Sequence, residues 1–246
     1  MIVIPAIDLK DGQCVRLKQG KFDHVTVFGD DPPAIARRWE SLGAEWLHVV
    51  DLDGAVGRSP KNRGAIKSVI NSVKVPVQVG GGIRNMDTID EYIEMGVSRV
   101  ILGTVALKNP DLVEEASEKY PGQIALGIDA KDGKVAVEGW TEVTHRTPIE
   151  IAGSFEHLPL AAIIYTDIHR DGMQSGVNIE GTRALAEATK IPVIASGGVS
   201  TIDDIRALLP LEPVGVVGVI TGRAIYTGSL DLAEAVALAK SKGNSH

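Results

Sequence analysis

The sequence has a single cysteine, Cys14, so no intramolecular disulfide can form, and the chain reads as one suited to a reducing compartment. Aromatic residues are scarce at 4%, so aliphatic side chains among the 44% of hydrophobic residues must fill whatever core forms. Positive charge is in deficit. There are 25 Lys and Arg against 32 Asp and Glu, a net −7. Such a chain has no basic footprint for nucleic acid, and no nucleic-acid partner is expected. An anionic small molecule is still admissible, because local backbone amides and a few arginines bind phosphate inside an acidic protein. No apolar run approaches the ~20 residues of a membrane-spanning helix. Residues Met1 to Asp8 lack the basic region of a signal peptide. No membrane partner and a cytoplasmic location are therefore expected. No His, Cys, Asp and Glu cluster has metal-ligand spacing, and no metal is expected.

What is present is a regular alternation. Short apolar, β-branched runs occur at Ile2–Ile7, Trp46–Asp51, Val75–Val79, Arg99–Leu102, Ile124–Ile128, Ala161–Thr166, Val193–Ala195 and Val214–Ile220. Most are continuously apolar, as strands of a parallel sheet buried on both faces are. Helical patterns separate them: Pro33–Leu42, Asn62–Val73, Met86–Met95, Pro110–Lys119, Pro148–His157, Ile179–Thr189, Thr201–Leu209 and Leu230–Lys240. Gly43 and Gly96 stop two of these helices, and Pro110 opens a third. Eight strand-then-helix units in 246 residues predict an α/β fold, a (β/α)8 TIM barrel forming one domain over 1–246. An open doubly wound sheet is the competing architecture. Eight even units, with no GxGxxG after the first strand, favour the barrel.

The chain also repeats itself. Val49-Val50-Asp51-Leu52 recurs as Tyr165-Thr166-Asp167-Ile168, and Val79-Gly80-Gly81-Gly82-Ile83 as Ala195-Ser196-Gly197-Gly198-Val199, both 116 residues on. Leu102-Gly103-Thr104 recurs as Thr221-Gly222-Arg223 after 119, and Ile7-Asp8 as Ile128-Asp129 after 121. Four matches in one order at a nearly constant offset predict two similar half-barrels, about 1–122 and 123–246.

Chemistry is expected at the C-terminal ends of the strands, where barrel active sites lie. Asp8 ends the first strand and Asp129 the fifth, and these strands face each other in an eight-membered ring. Two facing carboxylates can serve as general base and general acid; the alternative is a pair of turn or cap residues. Gly81-Gly82 with Gly103-Thr104, and their repeats Gly197-Gly198 with Gly222-Arg223, predict two phosphate sites, with Ala224-Ile225-Tyr226 as a short helix at the second. Tight βα turns are the plainer reading of any one glycine pair. Arg16 and Arg84, in or near βα loops, are candidate phosphate clamps. Trp140 is a candidate for stacking on a flat ring. Thr166, Asp171, Gly172 and Gly176 follow the sixth strand at the same face. Asp51 is divided between substrate contact and turn formation. A lone strand histidine such as His48 is more often structural, and Cys14 is expected to be inert.

Together these residues resemble a known family. Ile4-Pro5-Ala6-Ile7-Asp8, Val15-Arg16-Leu17, Leu47-His48-Val49-Val50-Asp51-Leu52 and Gln78 through Arg84 look like the histidine-biosynthesis isomerases. So do Gly127-Ile128-Asp129, Gly139-Trp140, Thr166-Asp167-Ile168, Arg170-Asp171-Gly172-Met173, Ala195 through Val199 and Gly222-Arg223-Ala224, over nearly the whole chain. The resemblance implies an Amadori rearrangement of an aminoaldose to an aminoketose on a substrate with two phosphoribosyl ends. Only protons move, so no cofactor is expected. It makes Asp8 the base and Asp129 the acid, an order that spacing does not give. It has Thr166 orient an acidic group or the substrate, and Arg16, His48, Trp140 and Asp171 contact substrate. Pro-Ala-Ile-Asp in the first strand separates the chain from the related imidazole glycerol phosphate cyclase, where a Cys-Leu-Asp type motif is usual. Glu138 stands where bifunctional relatives acting on phosphoribosylanthranilate carry Arg, which speaks against dual activity. From another class, a phosphate-metabolite sensor would not need both aspartates. A monomer is expected.

Overall fold

The computed structural model describes residues 1–18, 21–57 and 59–241; the last five residues of the second expected half-barrel lie outside them. Eight parallel strands form its centre: β1 (Ile2–Lys10), β2 (Leu47–Asp51), β3 (Val77–Gly80), β4 (Arg99–Leu102), β5 (Ile124–Lys131), β6 (Ala162–Asp167), β7 (Val193–Ser196) and β8 (Val216–Thr221). Each pairs with the next, and β8 pairs with β1, so the sheet closes on itself without an edge. Helices return the chain from each strand to the next: α1 (Pro32–Ser41), α2 (Arg63–Ser72), α3 (Met86–Glu94), α4 (Pro110–Lys119), α5 (Pro148–Ser154), α6 (Ile179–Glu187), α7 (Ile202–Leu208) and α8 (Leu232–Ser241). This is the (β/α)8 barrel.

Alternation along the strands sorts the core into two layers. Val3, Ile7, Leu47, Val49, Val77, Val79, Val100 and Leu102 point outward and pack under the helices. Ile4, Ala6, Ile101, Ala125, Ala162, Ile164, Ile194 and Ile220 form the barrel's own interior. Large residues stay outside: Trp39 and Tyr92 are among the fully buried side chains of the helical layer.

Two strands do not stop where their apolar runs stop. β1 continues through Asp11-Gly12 into an antiparallel strand, Gln13–Lys18, and β5 through Asp132-Gly133 into Lys134–Val137. Asp11 and Gly12 have φ of 50° and 77°, and Asp132 and Gly133 have 51° and 74°. These are paired positive-φ turns of the kind that Asp-Gly favours in two-residue hairpins. Asp8 lies opposite Val15 and Asp129 opposite Ala136, seven residues on in each case. The halves repeat in other details. Gly103 and Gly222 have φ/ψ of −99°/−104° and −119°/−98°, and each caps a five-residue helix, Thr104–Lys108 and Arg223–Thr227.

Candidate active site

The strand ends surround one cavity of about 250 Å³. Every site residue read from the sequence lines it except Gly176. Gly176 instead supports the rim, its N–H donating to Gly198 O at 3.0 Å and its own carbonyl accepting from Arg170.

The two glycine turns are built alike. Gly81 and Gly82 have φ of 106° and 75°, and Gly197 and Gly198 have 88° and 92°, a region that disfavours L side chains. A Cβ on Gly81 would meet the carbonyl of Asp51, and one on Gly197 the carbonyl of Asp167; Gly82 and Gly198 are closed in the same way by Gly54 O and Gly176 O. The preceding strand end is braced by an aspartate and an asparagine eleven residues later. Asp51 is fully buried and accepts from Gly54 N at 2.8 Å, Lys61 N at 2.6 Å, Asn62 N at 2.9 Å and Asn62 Nδ2 at 2.7 Å. Asp167 accepts from Asn178 Nδ2 at 2.8 Å and Arg170 N at 3.3 Å. Asp51 is therefore a turn former and does not reach the cavity, which settles the division left by the sequence.

Asp8 and Asp129 both point into the cavity, from β1 and β5. Arg16 sits in the connection between β1 and α1. It lies on the hairpin strand Gln13–Lys18, is 7% exposed, and brings Nη1 to 2.9 Å from Asp8 Oδ1. That Nη1 has no aligned hydrogen bond, so the contact is an ion pair more than a directed bond. Burial raises the Asp8 carboxyl above its usual range, against the pull of Arg16. Burial also raises Asp129, opposed by Trp140 and Thr166. Trp140 Nε1 donates to Asp129 Oδ2 at 2.7 Å. A third carboxylate, Asp171, is pushed up to about 6 by burial, with Arg16 lowering it and Asp8 and Asp129 raising it. Three carboxylates thus share one mouth with one buried guanidinium.

Trp140 follows two other left-handed residues, Glu138 (φ 54°) and Gly139 (φ 63°). Glu138 ties this segment to the first glycine site. Its N–H donates to Thr104 Oγ1 at 2.8 Å, and its carboxylate pairs with Arg84 at 3.1 Å and with Lys108. The sequence reading missed this anchoring, as it missed Ser196 and Gln174 on the cavity wall. Cys14 is buried, and burial pushes its thiol up to about 12, consistent with an inert residue. Among the described residues no group of His, Cys, Asp and Glu could hold a metal ion, and no helix is long and apolar enough to cross a membrane.

The family described as "Histidine biosynthesis protein" matches residues 2–231. The chain belongs to this family. Among its relatives is a 1-(5-phosphoribosyl)-5-((5-phosphoribosylamino)methylideneamino) imidazole-4-carboxamide isomerase of Desulfatibacillum aliphaticivorans, 60% identical over 96% of this chain and 94% of the relative. Isomerases of the same name from Syntrophobacter fumaroxidans and Geobacter sulfurreducens are each 59% identical, over 98% and 99% of this chain and 94% and 100% of theirs.

Proposed function

We propose that this chain is the aminoaldose–aminoketose isomerase that its relatives' name describes, acting by acid–base catalysis between Asp8 and Asp129. The observation that carries the mechanism is that these two carboxylates face one cavity from β1 and β5, flanked by two equivalent glycine turns. A substrate with two phosphoribosyl ends is held across the mouth, one phosphate at Gly81-Gly82 with Gly103-Thr104, the other at Gly197-Gly198 with Gly222-Arg223. Fixing both ends removes orientation entropy from the chemical step.

The reaction begins with proton donation to the ribose ring oxygen, which breaks its bond to C1 and leaves a protonated Schiff base. Removal of the C2 proton gives an enolamine, and its return to the ketone completes the aminoketose. No electron leaves the substrate, so neither redox cofactor nor metal is required. Asp8, beside Arg16, is the carboxylate better stabilised as an anion, which suits the base. Burial raises the Asp129 carboxyl as well, while the hydrogen bonds from Trp140 and Thr166 favour its ionised form, so its part as the acid follows from the family resemblance. Trp140 and Asp171 complete the substrate contacts. Glu138, pairing Arg84 and Lys108, offers no clamp for an anthranilate carboxylate, and dual activity is not expected. A monomer in a cytoplasmic setting is the form proposed.

The test is conversion of the two-phosphate aminoaldose by the purified chain, followed by NMR as C2 becomes a carbonyl. Tight binding without conversion would overturn the proposal in favour of a sensor.

A further inference from the structure

His48, Gln78 and Arg99 are neighbours in register on β2, β3 and β4, all on the face that looks into the barrel. Gln78 is fully buried. Arg99 Nη1 donates to Gln78 Oε1 at 2.9 Å, and the Gln78 amide nitrogen lies 3.0 Å from His48 Nδ1. A guanidinium has only donors. The amide oxygen must therefore face Arg99, because the flipped amide would set N–H against N–H. The amide N–H₂ then faces His48, and Nδ1 must accept. Arg99 is itself fixed, with its guanidinium stacked 4.4 Å from the centre of the Trp46 ring.

We propose that the Arg99–Gln78 pair holds His48 neutral with its proton on Nε2, making it a fixed hydrogen-bond donor into the mouth and excluding it from proton transfer. Gln78 and Arg99 are positioning residues, acting on substrate only through His48. Three features agree. His48 lines the cavity and is only partly buried, while its Nδ1 is engaged on the wall. A protonated imidazole would turn an Nδ1–H against the amide N–H₂. Burial, with Arg16 and Arg99 nearby, also lowers the imidazole to about 3. Of the other charged groups at the mouth, Arg16, Arg84 and Arg223 keep their protons, and the carboxylates Asp8, Asp129 and Asp171 are left to carry them. The donor's use rests on the isomerase reading, where an oxygen of the opened sugar is the acceptor; the tautomer does not rest on it.

The experiment is ¹⁵N NMR of the full-length protein with labelled histidine, the His48 signals being assigned by their loss in His48→Gln. Between pH 5 and 8 the expected pattern is a neutral ring with a pyrrole-type Nε2 and a pyridine-type Nδ1, without titration. In Gln78→Glu, a carboxylate acceptor faces Nδ1, so the proton should move there or the ring should become charged. In the same variant kcat should fall about tenfold or more with KM little changed, because the phosphate sites are untouched. Gln78→Met, which offers no donor, should let His48 sample both tautomers and serves if the glutamate disturbs folding. A wild-type His48 with the proton on Nδ1, or titrating near its ordinary value, would overturn the proposal. A failed turnover assay with the expected tautomer would instead refute the isomerase reading and leave this one standing.

Discussion

Arg16 occupies the space that a side chain on Gly222 would fill. The guanidinium lies across the backbone of that glycine while reaching 2.9 Å to Asp8. One residue of the second glycine site therefore sets the position of the cation that stabilises the Asp8 carboxylate. Gly222 has φ −119°, so it is not held in the left-handed region, and the guanidinium is the group that a Cβ there would meet. Gly222→Ala should fold, push Arg16 away from Asp8, and lower kcat/KM by ~10²-fold, the loss expected of a misplacement near 1 Å. Steady-state kinetics with a thermal melt checks this; a folded variant with unchanged kinetics would refute the coupling.

The duplicated turns make a stoichiometric prediction. Calorimetric titration with inorganic phosphate should find two sites in the wild-type chain. Gly82→Ala and Gly198→Ala force a Cβ against Gly54 O and Gly176 O at φ 75° and 92°. Each should cost ~1–3 kcal/mol of stability as local strain, and each should remove one phosphate site while sparing the other. Loss of both sites in either variant would show that they are not independent.

Much of this site was legible in the sequence because barrel geometry is strict. Once eight strands are counted, a residue following a strand can only lie at one face, and seventeen of the eighteen candidate residues line the cavity. What escaped was whatever depends on a side chain's partner. The approach of Arg16 to Asp8 is hidden because the first apolar run stops at Ile7, whereas β1 extends to Lys10 and turns at Asp11-Gly12 into the strand that carries Arg16. The signal was present, since Asp-Gly between strands marks a two-residue hairpin, and it recurs as Asp132-Gly133 at the Asp8-to-Asp129 offset. Gly176 lies behind the cavity wall, its carbonyl packed against Gly198. Gln78 gave no signal, because a buried amide gains meaning only from Arg99 and His48 in register beside it.

Asp171 should make the protein less stable at neutral pH than a neutral residue would. Its carboxyl is pushed up to about 6 from 3.8. The folded state thus binds a proton that the unfolded state releases between those values, and stability falls as pH rises through that window. Asp171→Asn removes the buried charge. At pH 8 it should gain ~1–2 kcal/mol, seen as a Tm increase of about 3–6 °C, and the gain should shrink towards pH 4. A gain independent of pH would mean that packing, not ionisation, is responsible.

Asp8→Asn and Asp129→Asn should each lower kcat by ~10²–10⁴-fold, the usual contribution of a general acid or base, while KM changes little. Asparagine keeps the size and polarity of the carboxyl group but cannot exchange a proton, and the glycine turns that grip the phosphates lie on other strands. The pH dependence separates the roles. With Asp8 as base, kcat/KM rises as its proton leaves; with Asp129 as acid, it falls as that proton is lost. Burial moves both limbs above the ordinary carboxylate range, opposed by Arg16 at Asp8 and by the Trp140 and Thr166 hydrogen bonds at Asp129. Both apparent values belong to the coupled cluster that includes Asp171. Residual activity of Asp8→Asn should lack the rising limb, and that of Asp129→Asn the falling one; the opposite pattern would exchange the two roles. Asp51→Asn is the contrast. It sets an amide among four donors outside the cavity, so it should lose ~1–3 kcal/mol of stability and keep the kcat of the molecules that remain folded. If Asp8→Asn turned over at the wild-type rate, two-carboxylate catalysis would be wrong even with the barrel, the cavity and both phosphate turns in place.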